Sequence, residues 1–295
     1  MKLLLTGSRG MLGKAIVESA KKQNITIGVL NYKESFLMPE KELIEYISNF
    51  DYLIHSAANT NVEECEKNPD VCYKDNYLLT DILASACNKA KKRFIFISST
   101  GVYGSEKQDP YREYDYARPT THHHLSKFLA EQRVLQLNHQ NLVVRTGWLF
   151  GGSEENPKNF IAQRLDEAEL KLKTTGILYS NESQRGVPCY VLDIAMRILL
   201  LIERKSVGIF NCVNSGNASR FEYVKGIIEF SKINISVEPI SSKAFNRIAR
   251  VSNNEMANNW KMECLGFSPM PSWNESLGDY IANILSKREV DDGKG

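Results

Sequence analysis

Three glycines, Gly7, Gly10 and Gly13, form a G-x-x-G-x-x-G pattern just after the apolar run Lys2–Leu5. Positions without side chains at that spacing let a backbone turn tightly and approach a bulky anion. A helix beginning at Met11 and Leu12 would aim its free amides at that anion, which is how a dinucleotide pyrophosphate is held. Cofactor choice then rests on the end of the second apolar run, Leu30-Asn31-Tyr32-Lys33, where an acid would grip the adenine ribose diol. No acid appears there before Glu34, whereas Arg9 in the glycine loop and Lys33 can fork around a 2′-phosphate. The expected cofactor is NADP(H), with NAD(H) as the alternative.

These residues need a scaffold that gathers loops along one edge. The first half of the chain alternates short apolar runs with helical patterns. Strands are expected at Lys2–Leu5, Ile25–Leu30, Asp51–His55, Phe94–Ser98 and Leu142–Arg145. Helices are expected at Met11–Lys22, Lys41–Phe50, Lys74–Lys91 and His123–Asn138. Runs such as Phe94-Ile95-Phe96-Ile97 are apolar on consecutive residues, which suits strands covered on both faces. That alternation predicts an α/β fold with a doubly wound parallel sheet, a Rossmann architecture. After Phe150 comes a loop, Gly151–Pro157, an amphipathic helix from Asn159 to about Lys171, and then shorter elements punctuated by prolines. The expected division is a dinucleotide-binding domain over 1–147, with parts of 174–214 returning to it, and a smaller mixed α/β substrate lobe over 148–290.

Composition narrows the partners. The chain has 295 residues, 37 Lys and Arg against 35 Asp and Glu, and 42% apolar residues. A near-neutral balance gives no electrostatic reason to expect nucleic acid. The longest apolar stretch, Ile194–Ile202, is interrupted by Arg197 and is far short of the roughly 20 residues a bilayer requires. Six cysteines show no C-x-x-C pair, so buried reduced thiols and a cytoplasmic location are expected. The run His122-His123-His124 cannot close on one ion, because consecutive helical residues diverge by about 100°. No metal site is expected.

Further segments resemble the extended short-chain dehydrogenase/reductases that act on nucleotide sugars, most of all the dTDP-4-dehydrorhamnose reductase family. The likeness runs over nearly the whole chain: His55–Glu66, Ile97–Gly104, Pro110–Asp115, Arg145–Gly151, Asn159-Phe160 and Gln184–Pro188. It implies cofactor contacts at Ala57, Ala58, Thr60 and Asn76, with Asn76 a buried hydrogen-bonding residue rather than an acid or base. It places the catalytic Ser/Thr on Ser99 and the ribose-binding lysine on Lys127. Tyr103, Trp148, Asn159 and Arg185 fall on its substrate side, Trp148 stacked on a base or sugar or else plugging the lobe interface, and Arg185 against a diphosphate or else a surface carboxylate. Such enzymes pass a hydride from nicotinamide C4 to a sugar ketone while an acid protonates the alkoxide. The resemblance therefore implies a 4-keto-6-deoxy sugar reductase in polysaccharide precursor synthesis, with a nucleotide-sugar partner and a homodimeric assembly.

One residue departs from the family. The tyrosine expected four residues before Lys127, one helical turn away, is His123. Three readings stay open. His123 replaces the acid, with slow turnover that improves at lower pH. Alternatively Tyr103, Tyr111, Tyr114 or Tyr116 reaches in. The third reading is a catalytically impaired or regulatory dinucleotide-binding protein.

Overall fold

The computed structural model describes residues 1–292, without the side chains at 32, 33, 287 and 289–292. Its elements run β1 (Lys2–Thr6), α1 (Met11–Lys22), β2 (Thr26–Leu30), α2 (Tyr32–Leu37), α3 (Glu40–Ser48), β3 (Tyr52–His55), α4 (Val62–Lys67) and α5 (Pro69–Tyr73). One π-turn, Lys74–Leu78, leads into α6 (Leu79–Lys89), followed by β4 (Arg93–Ser99), a 3-10 turn at Thr100–Tyr103, α7 (His122–Leu137) and β5 (Leu142–Thr146). Then come β6 (Trp148–Phe150), α8 (Phe160–Leu172), β7 (Ile177–Asn181), β8 (Arg185–Gly186), β9 (Pro188–Tyr190) and α9 (Val191–Glu203). The chain closes with β10 (Gly208–Asn211), β11 (Ala218–Ser219), α10 (Arg220–Ser231), β12 (Ser236–Ile240), α11 (Trp260–Cys264) and α12 (Trp273–Asp292).

Six parallel strands form the central sheet in the order β10-β5-β4-β3-β1-β2. The order reverses between β1 and β3, the switch point where an open α/β sheet leaves its crevice. Consecutive apolar residues in the strands divide between two cores, as a sheet covered on both faces requires. Leu3, Leu5, Ile95 and Ile97 face α1 and α9, through Leu12, Ile16, Ile194 and Ile198. Leu4, Leu53, Phe94 and Phe96 face α3, α6 and α7, through Leu43, Ile47, Leu83 and Val134. The expected doubly wound α/β sheet is what the chain forms.

A third core joins Trp148, Phe150, Ile161 and Leu165 to Tyr223, Leu277 and Ile281, so that α8, α10 and α12 share one apolar centre. Three two-stranded pairs, β6 with β9, β7 with β12 and β8 with β11, flank it. Two local expectations differ from the result. Helices α2, α4 and α5 form where no element was expected, and the helix expected from Lys74 begins instead as the π-turn.

Candidate active site

Because the sheet strands are parallel, the loops after β1, β2, β3, β4 and β5 open on one edge. At the first of these, Gly7 has φ of +74°, and a Cβ there would lie 2.6 Å from the Ala57 backbone nitrogen. A Cβ on Gly13 would lie 2.1 Å from the Gly7 carbonyl oxygen. The glycine loop is therefore packed backbone to backbone against the β3 loop and against α1, closer than any side chain allows. Gly10 caps α1 without a side-chain hydrogen bond. The helix amides are left to an anion, and the cradle fits a dinucleotide pyrophosphate.

Around this cradle Leu12 is buried, Met11, Ala57 and Ala58 are half-buried, and Arg9, Asn31 and Thr60 are exposed. The Lys33 side chain lies outside the described residues. Thr60 Oγ1 accepts from Lys158 Nζ at 2.9 Å, a link from the β3 loop to the segment before α8. Asn76, fully buried in the π-turn, accepts from the Asn59 amide at 2.8 Å and donates to the Asn59 carbonyl at 3.1 Å. It clamps the β3 loop by both backbone groups, in keeping with a positioning role.

Ser99 ends β4, and its Oγ accepts from the Gly101 amide at 3.1 Å. Lys127, on α7, donates from Nζ to the Ile97 carbonyl at 3.0 Å and sits 4.6 Å from the Phe96 ring centroid. Lys127 is thus anchored on β4 two residues before Ser99, which ends the same strand. Burial of the Lys127 ammonium pushes its pKa down to about 8.

His123 begins the same face of α7 and is buried. Its Nδ1 lies 2.9 Å from the Asn59 carbonyl oxygen. A carbonyl only accepts, so Nδ1 carries the proton and the neutral ring leaves Nε2 as a lone pair. Burial holds the ring well below its ordinary pKa, and His124 and Lys127 add to that shift. His124 packs edge-on to it at 5.0 Å and fills the space a Cβ on Gly101 would need, at 2.1 Å.

None of the tyrosines considered as replacements is held at this point. Tyr103 and Tyr111 are buried and stack on each other at 4.7 Å. Tyr103 donates from its hydroxyl to Asn211 at 2.7 Å, and Tyr111 to the Gly104 carbonyl at 3.3 Å. Tyr114 lies edge-on to Trp260 on the surface, and Tyr116 is exposed.

The expected substrate-side residues divide. Tyr103, fully buried, is not brought to the cleft, because stacking and Asn211 consume its ring and hydroxyl. Asn159 is likewise buried: it caps α8 and donates to Tyr280 at 2.7 Å, so its polar atoms serve the lobe. Arg185 is exposed, bonded to Asn217 at 3.2 Å and 3.6 Å from Glu222, the surface-carboxylate alternative. Trp148 donates to Glu255 at 2.6 Å. The Arg220 guanidinium lies 3.5 Å over its ring.

Three residues take places that the sequence reading did not give them. Arg220 is one; burial pushes its pKa down to about 10. The other two are Cys65 and Cys72, which the fold sets beside His123. Their i, i+7 spacing carries no signal as a motif; only the fold of α4 and α5 against α7 brings them together.

Comparisons with known proteins show the family and the fold. The family model described as RmlD substrate binding domain matches residues 1–286. A dTDP-4-dehydrorhamnose reductase of Mycolicibacterium smegmatis is 26% identical over 287 residues, covering 96% of this chain and 86% of that one. The crystal structure of a dTDP-4-dehydrorhamnose reductase from Clostridium acetobutylicum superposes with a TM-score of 0.89 at 27% identity, over 97% of this chain and 100% of that one. The Bacillus anthracis enzyme of that name, solved in complex with NADP, gives 0.88 at 25% identity, over 96% and 99%. With its glycine cradle, Ser99 and Lys127 set along one sheet edge, the chain belongs to the RmlD substrate-binding-domain family.

Proposed function

We propose that this protein reduces the 4-keto group of a nucleotide-linked 4-keto-6-deoxy sugar, taking its hydride from NADPH. The observation that carries the reading is the anchoring of Lys127 on β4, the strand that Ser99 ends, together with a glycine cradle that fits a dinucleotide. The names of the similar proteins agree, as does the NADP bound to one of them.

In this reading residues 1–147, with β10 returned from the second half, hold the cofactor, and residues 148–290 hold the sugar nucleotide. Bound NADPH supplies the hydride. Gly7, Gly10 and Gly13 admit its pyrophosphate, with the α1 amides as donors, and Arg9 favours a 2′-phosphate. Lys127 would hold the nicotinamide ribose. The Ser99 hydroxyl donates to the ketone oxygen as negative charge builds there. Proton delivery then falls to His123. All six cysteines are free, which supports work in a reducing compartment, the cytoplasm.

A second reading has one observation behind it. With Nδ1 given to Asn59, the neutral His123 ring has no proton on Nε2 to hand over. That favours a member of the family which binds dinucleotide and turns over slowly or not at all. The two are separated by following NADPH oxidation with dTDP-4-keto-6-deoxy sugars, beside calorimetric binding of NADPH. Binding with steady oxidation supports the reductase. Binding without oxidation from mildly acidic to neutral pH supports the second reading, and no binding sinks both.

A further inference from the structure

We propose that Cys65, Cys72 and His123 form a site for one thiophilic divalent cation of the zinc class, held by two thiolates and an imidazole nitrogen. The three residues come from α4, α5 and α7. All three are buried, and their donor atoms lie within 4.8 Å of one another. In a tetrahedral zinc site with such ligands the donors stand about 3.5–3.8 Å apart. Closure by about 1 Å, within the reach of side-chain rotation, completes the set.

Nδ1 is the imidazole atom on this side, because it shares its neighbours with the sulfurs. The Asn59 carbonyl oxygen is 2.9 Å from His123 Nδ1 and 3.9 Å from Cys65 Sγ. Asn76 Nδ2 is 3.4 Å from both His123 Nδ1 and Cys72 Sγ. The Asn59 carbonyl or one water would supply the fourth ligand. Asn76 would donate to the Cys72 thiolate from outside, the kind of second contact that orients a metal's ligands.

Charge and softness both select the ion. Two thiolates cancel a dication, so the filled site adds no net charge to an interior that already holds Lys127. Sulfur and imidazole donors favour zinc-class ions over magnesium or calcium, which take oxygen. Binding releases the two thiol protons to solvent. The imidazole proton leaves Nδ1 and is carried by Nε2 in the bound ring. An ion at Nδ1 therefore turns His123 into an Nε2–H donor; this consequence, unlike the site itself, rests on the reductase reading.

The test uses the full-length protein, reduced and stripped with chelator, then titrated with cobalt(II) and competed with zinc(II). One equivalent with a thiolate-to-cobalt charge-transfer band is expected. Cys65→Ser, Cys72→Ser and His123→Gln should each weaken binding at least tenfold, while Cys264→Ser, at an exposed cysteine, leaves it unchanged. In the unaltered protein, zinc should shield Cys65 and Cys72 from alkylation, mapped by peptide mass; this readout needs no variant to fold. Sub-stoichiometric binding, no sulfur-to-cobalt band, unshielded thiols, or a Cys65–Cys72 disulfide that excludes metal would each overturn the site. An intact cobalt band with no NADPH turnover would count against the reductase reading alone.

Discussion

The His123 ring and the Asn59 backbone are joined by a 2.9 Å hydrogen bond in which Nδ1 must be the donor. That contact sets the tautomer of the one residue that departs from the family pattern, and it aims the ring at the β3 loop. A tyrosine there would carry its hydroxyl past the position of the imidazole. His123→Tyr should therefore raise NADPH-dependent reduction by roughly a hundred- to ten-thousandfold, the span within which a well-placed acid acts. Steady-state rates for both proteins with the same keto sugar decide this, and an unchanged rate would show that the proton comes from elsewhere.

The cofactor cradle makes a sharper demand. A methyl group on Gly13 would stand 2.1 Å from the Gly7 carbonyl oxygen, and backbone cannot yield as a flexible side chain does. Gly13→Ala should weaken NADPH binding by more than tenfold and cost about 1–3 kcal/mol of stability, as overpacking does. Calorimetry and urea unfolding measure the two effects separately. Tight binding by the variant would mean that α1 is free to shift away from β1.

Between α7 and β5, Arg145 and Glu131 form a buried pair at 2.6 Å, and the Arg145 guanidinium lies 4.6 Å over the Tyr103 ring. Removing one partner strands the other charge in the core. Glu131→Gln should lower stability by about 3–5 kcal/mol. An apolar double replacement, Glu131→Leu with Arg145→Met, should recover much of that loss. Urea midpoints for the three proteins test the order.

Acid lability should trace to His55. The residue is buried at the end of β3, with Nδ1 2.6 Å from Thr6 Oγ1 and its ring stacked on Phe96 at 5.9 Å. Burial first, and the Lys127 charge second, push its pKa down to about 3. Below its ordinary value of 6.5 the unfolded chain binds a proton that the folded chain refuses. The contribution is thus complete above pH 6.5 and is lost as the pH falls toward 3. His55→Leu should flatten the decline in urea midpoint over that window, and an equally steep decline would place the lability elsewhere.

Much of this protein was legible along the chain, because its signals are local or periodic. Residues 94–97, apolar in succession, suit a strand covered on both faces, and the glycine spacing before α1 reads directly as a close backbone approach. Ser99 and Lys127 could be placed by resemblance because each lies in a short contiguous motif. The structure then separated residues that look alike in sequence. Tyr103 and Asn159 spend their polar atoms on Asn211 and Tyr280, and Arg185 stays at the surface with Asn217. Such outcomes depend on partners more than 30 residues away, which no local pattern encodes. The same holds at His123. The chain shows a histidine where the family has a tyrosine. Only the packing of α4, α5 and α7 decides that the Asn59 carbonyl accepts a hydrogen bond from its Nδ1 and that two cysteines lie beside it.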